Sequence, residues 1–180
     1  VLILHAPLLA FAALAIWVET GGPVLFRQQR TGLGGKPFMI LKLRTMTTAD
    51  NGSSVAQATK GDARVTRVGA VLRKLSIDEL PQLVNVLVGD MSLVGPRPHA
   101  LAHDLEFAAR VPVYQQRFAV RPGITGLAQV RGLRGEINSQ AQLLDRTAAD
   151  LEYAERASLW LDLQIIARTA LKLPFDAAAY

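Results

Sequence analysis

The longest apolar run opens the chain. Residues 1–18 (VLILHAPLLAFAALAIWV) carry no formal charge, one histidine and an internal Pro7. As a helix this run rises about 27 Å, just short of the roughly 30 Å hydrocarbon layer of a bilayer. Pro7 removes a backbone hydrogen bond and crowds the preceding turn. The preferred reading is therefore a Pro-broken, re-entrant helix that enters and leaves one leaflet, with Trp17 at the headgroup level. A straight spanning helix and a buried core helix are the two other readings. A cleaved signal peptide is not, because Glu19-Thr20-Gly21-Gly22 follows without a small-x-small cleavage pattern.

Beyond the Gly21-Gly22-Pro23 turn the period changes. Residues 24–30 and 38–44 alternate apolar and polar positions around a glycine-rich join, which predicts a β-hairpin. Residues 47–61 are small and polar and read as a loop. Helical spacing predicts helices over 66–75, from Ser76 or Asp78 to Val88, over roughly 100–110 and 112–118, over 139–157 and over 158–173. Residues 89–98 and 121–126 read as ordered turns or loops, with a short strand near 127–130. In the last helix Leu159, Leu163, Ile166, Ala170 and Leu173 form one stripe, bordered by Trp160 and followed by Phe175. That stripe fits either a helix packed on a core or one lying in a membrane surface. The fold class expected is α+β, mainly helical, membrane-associated, with a small hairpin and surface-lying amphipathic helices. The division expected is a membrane helix over residues 1–20 and one domain over 21–180, expected to carry any catalysis and to be the C-terminal part of a longer chain.

Composition narrows the function. Half of the 180 residues are apolar and 19% charged, which excludes a disordered chain, and the absence of cysteine excludes thiol catalysis and Cys-ligated zinc. The net charge of +5 is concentrated between Arg27 and Lys74, where ten basic residues face two acids. A cationic stretch beside an apolar run fits anionic lipid and the cytoplasmic side of a membrane. A P-loop is ruled out, since Arg30 and Pro37 stand where the motif needs glycine and Ser/Thr. Nucleic-acid binding lacks a recognition helix or an aromatic β surface.

The chemistry gathers at Ser76-Ile77-Asp78-Glu79. By local rules Ser-x-x-Glu is a capping box, and two adjacent carboxylates sit at a positive helix end. Arg73 and Lys74 lie one turn upstream and Arg97 sits in Gly95-Pro96-Arg97-Pro98. Carboxylates flanked by cations can hold Mg²⁺ together with phosphate, or take up a phosphoryl group covalently. The same motif also reads as plain helix capping. His99 and His103 have metal-ligand spacing but no third ligand in view, so a solvated or packed pair is the preferred reading.

With these residues in place the chain resembles the bacterial sugar transferases, the monotopic phosphoglycosyl transferases. The shared strings are GPVLFRQ at 22–28, KLRTM at 42–46, SIDELPQL at 76–83, GDMSLVGPRP at 89–98 and PGITGLAQV at 122–130. The resemblance implies a two-step, Mg²⁺-dependent reaction on the inner-leaflet, cytoplasmic face of the bacterial inner membrane. Asp78 matches the nucleophile and Glu79 the neighbouring acid, both also candidate metal ligands. Lys42, Arg44, Arg73, Arg97, Arg121 and Gln129 match phosphate- or substrate-binding positions. Pro7, Trp17 and Trp160 are the membrane residues. The implied partners are a UDP-sugar and undecaprenyl phosphate, with no nucleic acid, and a homo-oligomer left open. HALAH at 99–103, RGE at 134–136 and SLWLD at 158–162 resemble the undecaprenyl-phosphate glucose phosphotransferase branch. That branch usually continues Arg-Gly-Glu with Thr-Asp, where this chain has Ile137-Asn138, so galactose stands beside glucose as the expected sugar. A non-catalytic module that binds lipid or a partner at the membrane surface is the alternative.

Overall fold

A computed structural model describes residues 2–48, 55–59 and 61–172. Helix α1 (Leu2–Thr20) runs on through Pro7 without interruption. Pro7 falls in its second turn, where only one intrahelical bond is forfeited. The expected break is thus not an end of the helix. Among the described residues no helix is long and apolar enough to cross a membrane. At its C-terminus Gly21 takes φ +61° and donates to Trp17 O at 2.8 Å, closing the helix with a left-handed glycine. Ala12 and Ile16 are buried against Leu43 and Leu72, while Leu4, Phe11, Leu14, Trp17 and Val18 are exposed.

Strands β1 (Leu25–Thr31) and β2 (Pro37–Leu43) form the expected antiparallel hairpin, with Leu25 opposite Leu43 and Thr31 opposite Pro37. The free edge of β2 is closed by one side chain: Asn85 accepts from Leu41 N at 3.0 Å and donates to Met39 O at 2.8 Å. An amide offers a donor and an acceptor, as a neighbouring strand would. Helix α2 (Arg67–Lys74) is capped by Thr66, whose hydroxyl accepts from Gly69 N. The Glu19 carboxylate at the end of α1 accepts from Arg67 N and Val68 N at 2.8 and 3.1 Å. An anion on the orphan donors of a helix start ties α1 to α2.

The helix expected from Ser76 or Asp78 is instead two pieces. Ile77–Glu79 form a 3-10 turn, and α3 (Gln82–Val88) starts after Pro81. Ser76 takes φ +54° and makes no cap bond, so the capping box is not formed. Strand β3 (Ser92–Val94) pairs in parallel with β4 (Gly123–Thr125). The short strand thus lies at 123–125, and the expected strand at 127–130 is the helical turn α5 (Leu127–Val130). Glycine decides the position: a Cβ at Gly123 would lie 2.1 Å from Gly95 N, and one at Gly126 2.2 Å from Gly95 O. Two backbones meet there with no room for side chains.

Helix α4 (Leu101–Arg110) is followed by a 3-10 stretch at Tyr114–Ala119, in place of the helix expected over 112–118. Helix α6 (Gln140–Arg156) starts at the Ser139 cap. Helix α7 (Leu159–Lys172) buries Ile165, with Leu161 packed beside it. Three of its polar groups bond to neighbouring elements: Asp162 accepts from the Tyr153 hydroxyl at 2.8 Å, Thr169 pairs with Thr125 at 2.7 Å, and Lys172 donates to Val130 O at 2.6 Å. The apolar stripe is the outer face, with Leu159, Trp160, Leu163 and Ile166 all exposed. The core-packed reading of that stripe is therefore corrected. Leu173 and Phe175 lie outside the described residues.

Candidate active site

Asp78 and Glu79 sit on the 3-10 turn between α2 and α3, 8% and 7% exposed. The turn lies against β2, which brings Lys42 to Glu79: its ammonium donates to Oε1 at 2.8 Å. From the loop after β3, Arg97 donates to the same carboxylate, Nη2 to Oε1 at 2.6 Å and Nη1 to Oε2 at 3.4 Å. Burial alone would raise the Glu79 pKa, but Arg97 and Lys42 hold it well below the ordinary carboxylate range. Asp78 goes the other way. Burial and the neighbouring Glu79 charge push its pKa up to about 6, against the pull of Lys42, Arg73 and Arg97. Burial also lowers the Lys42 pKa, against the attraction of Glu79.

Two adjacent carboxylates thus have divergent characters. Glu79 is a fixed anion neutralised by two cations. Asp78 is a crowded, more basic carboxylate that ionises near neutrality. Divergent pKa values in a titratable pair are a mark of divided chemical labour.

Both acids line a cavity of about 270 Å³. Lys42, Arg44, Arg73 and Arg97, the cations singled out in the sequence, line it with them. Arg44 also hydrogen-bonds the Thr20 hydroxyl and fills the space beside Gly22, where a Cβ would lie 2.4 Å from its Nη1. Two expected residues lie elsewhere. Arg121 is exposed on the loop before β4 and does not line the cavity. Gln129 donates to Ile124 O of β4 at 3.1 Å. The structure adds Arg30, Arg134 and Arg146 to the cavity wall. They come from segments far apart in sequence, so only their cationic type hinted at the role.

His99 does not act with His103. Its Nδ1 lies 2.8 Å from the Tyr114 hydroxyl, which donates to Asp104 at 2.5 Å, and burial pushes its pKa down to about 3. His103 Nε2 lies 2.6 Å from Val55 O. Among the described residues, no group of three or more His, Asp or Glu side chains could hold a metal. A Mg²⁺ ion needs no such cage, since it takes one or two carboxylates and completes its shell with water and substrate phosphate. Asp78, crowded by a like charge, fits that demand, with Glu79 beside it.

A carboxylate pair facing a cation-lined cavity has the chemistry to hold a phosphate-bearing ligand. The chain belongs to the bacterial sugar transferase family, whose match covers residues 1–175. It is 60% identical to a UDP-glucose:undecaprenyl-phosphate glucose-1-phosphate transferase of Caulobacter vibrioides, over 98% of this chain and 66% of that protein. It is 46% identical to the protein of the same description in Escherichia coli, over 100% of this chain and 39% of that one. A UDP-N-acetylgalactosamine-undecaprenyl-phosphate N-acetylgalactosaminephosphotransferase of Aeromonas hydrophila is 44% identical, over 92% of this chain and 39% of that protein. The chain thus spans between two-fifths and two-thirds of the length of these relatives.

Proposed function

We propose that this chain transfers a sugar 1-phosphate, in the first place glucose 1-phosphate, from a UDP-sugar to undecaprenyl phosphate. The observation that carries the reading is the split carboxylate pair: Asp78 raised to about 6 beside a Glu79 held ionised by Lys42 and Arg97. In the first step an Asp78 carboxylate oxygen forms a bond to the phosphorus that bears the sugar. The bridging P–O bond breaks, and its electron pair leaves with UMP. In the second step a phosphate oxygen of undecaprenyl phosphate attacks the same phosphorus, and the Asp78 carboxylate leaves. The product is undecaprenyl-diphosphate sugar.

A nucleophile must be ionised, and a carboxylate with a raised pKa is the more nucleophilic once it is. Asp78 meets both needs above about pH 6. Lys42, Arg73 and Arg97 line the cavity and oppose the charge on the transferring phosphate. Mg²⁺, when bound, would neutralise phosphate charge beside the two carboxylates.

The acceptor is an oily phosphate, so the site belongs at a membrane surface. The exposed apolar faces of α1 and α7 support this, with Trp17 and Trp160 among them. The proposed setting is the cytoplasmic face of the bacterial inner membrane, with α1 as the re-entrant element. Glucose stands first because the relatives of 60% and 46% identity carry that sugar in their descriptions. The direct test is UMP release from a panel of UDP-sugars in membranes holding undecaprenyl phosphate, with and without Mg²⁺. Release with UDP-glucose, lost on chelation, is expected. Mass spectrometry of a peptide spanning Asp78, trapped with substrate alone, should carry the added phosphosugar. An unmodified Asp78 together with sustained turnover refutes the covalent step.

A further inference from the structure

The Gly95-Pro96-Arg97-Pro98 segment carries the Arg97 clamp, yet its two prolines have no N–H with which to fix it. Gly95 N donates to Thr125 O at 2.8 Å, and beyond it the segment is held by its carbonyls. Gly123 N donates to Pro96 O at 2.9 Å, Arg117 Nη2 to Arg97 O at 2.6 Å, and Arg30 Nη1 to Pro98 O at 3.3 Å. Of these the Arg117 bond is the shortest, and it falls on the residue that grips Glu79.

Arg117 is 2% exposed. Its Nε and Nη2 donate to Asp150 Oδ2 on α6 at 3.0 and 2.8 Å, and its Nη1 lies 3.3 Å from the Tyr114 hydroxyl. Asp150 is itself 2% exposed. A buried ion pair is weak evidence of added stability, because desolvation offsets the Coulombic gain. What this one does is aim a rigid fork. With one edge locked on Asp150, the guanidinium presents a fixed N–H to the Arg97 carbonyl. Nη2 alone serves both Asp150 and the carbonyl, and the second bond to Asp150, from Nε, fixes its aim; a lysine ammonium has donors for both partners but lacks that second anchor.

We infer that Arg117, anchored by Asp150, is a positioning residue: it fixes the backbone of Arg97 and thereby the guanidinium contact with Glu79 beside Asp78. Arg117 touches no reacting atom, and its effect passes through Arg97. The inference rests on the transfer reaction proposed above.

A mutant cycle on the full chain in membranes tests it. Arg117→Lys is expected to lower kcat for UMP release about tenfold, with KM for UDP-glucose changed less than about threefold, because a small misplacement of a positioned group acts on the transition state. In an Arg97→Lys background the same substitution should cost less than about twofold, since the clamp it aims is already impaired. Equal losses in both backgrounds, or no loss in the first, overturn the inference. Should Arg117→Lys fail to accumulate, Asp150→Asn is put through the same cycle with the same expectations. A structure of either variant gives a readout free of turnover: the Arg97–Glu79 contact should open, and a contact retained at 2.6 Å overturns the inference. Absence of UMP release by the unsubstituted chain refutes the proposed reaction instead, and the Arg97–Glu79 contact still decides the role of Arg117.

Discussion

Replacing Asp78 by asparagine should abolish turnover and stabilise the fold, and the second effect has a size. The Asp78 pKa is raised from 3.8 to about 6 by burial and by Glu79. Between those values the folded chain keeps a proton that the unfolded chain releases, so stability falls as pH rises through the interval. Above about pH 6 the penalty is complete and amounts to about 3 kcal/mol, at about 1.4 kcal/mol per pKa unit. Asparagine has the same shape and no charge, so it escapes the penalty. For a chain of 180 residues, about 3 kcal/mol corresponds to a rise in the unfolding midpoint of about 6–12 °C. The assay is thermal unfolding of wild type and Asp78→Asn in one detergent at pH 7.5 and at pH 4, beside UMP release. The midpoints should differ widely at pH 7.5 and nearly coincide at pH 4, while release falls about a thousandfold or more. A variant no more stable at pH 7.5, or a gap of equal size at both pH values, refutes the argument that Asp78 is a strained anion.

Lys42→Met removes a cation that lowers the Asp78 pKa. The acidic limb of kcat/KM should then move above pH 6, with a loss of about tenfold or more, and an unmoved limb counts against the assignment. Charging the outer face of α7 with Trp160→Glu and Leu163→Glu should leave the thermal midpoint nearly unchanged but weaken vesicle binding, in part only, since α1 keeps its own apolar face. Unaltered vesicle binding would deny α7 a membrane role. Ser76→Gly relieves a left-handed serine and should stabilise the fold by about 1 kcal/mol, measured by denaturant unfolding. His99, with its pKa pushed by burial from 6.5 down to about 3, stays neutral where the unfolded chain takes up a proton. It should thus withdraw about 2 kcal/mol of stability between pH 7 and pH 5, a slope that His99→Gln flattens.

The elements the chain declares locally are the ones that repeat a period or carry a cap. The hairpin, α2 behind Thr66 and α6 behind Ser139 are of that kind. Strand β4 is not. Its three residues begin with Gly123, whose reason lies in the backbone of Gly95 across the sheet. The stripe of α7 is legible as apolar, but periodicity cannot tell which face a protein interior will claim. Here Asp162, Thr169 and Lys172 find partners on neighbouring elements, and the leucines are left outside. The site followed a similar division. Asp78, Glu79, Lys42, Arg73 and Arg97 carry their chemistry in type and motif. Arg121 shares the cationic type but is exposed, outside the cavity. Arg117 and Asp150, 33 residues apart, share no local pattern and meet only in the fold.

The segments that hold Asp78, the proposed nucleophile, also connect it to the apolar helix. Glu19 at the end of α1 caps α2, α2 ends at Lys74, and Ser76 then turns the chain by its left-handed conformation into the 3-10 turn of Asp78. Helix α2 has eight residues, a rise of about 12 Å. An α1 fixed at a bilayer would thereby hold Asp78 within about one such helix length of the end of α1. That reach suits an acceptor whose phosphate sits at the headgroups while its chain stays in oil. It also gives a physical reason for the Glu19 cap. A flexible joint would let the carboxylate drift from the interface, whereas two N–H bonds at a helix start transmit the position of α1 directly to the turn that carries Asp78.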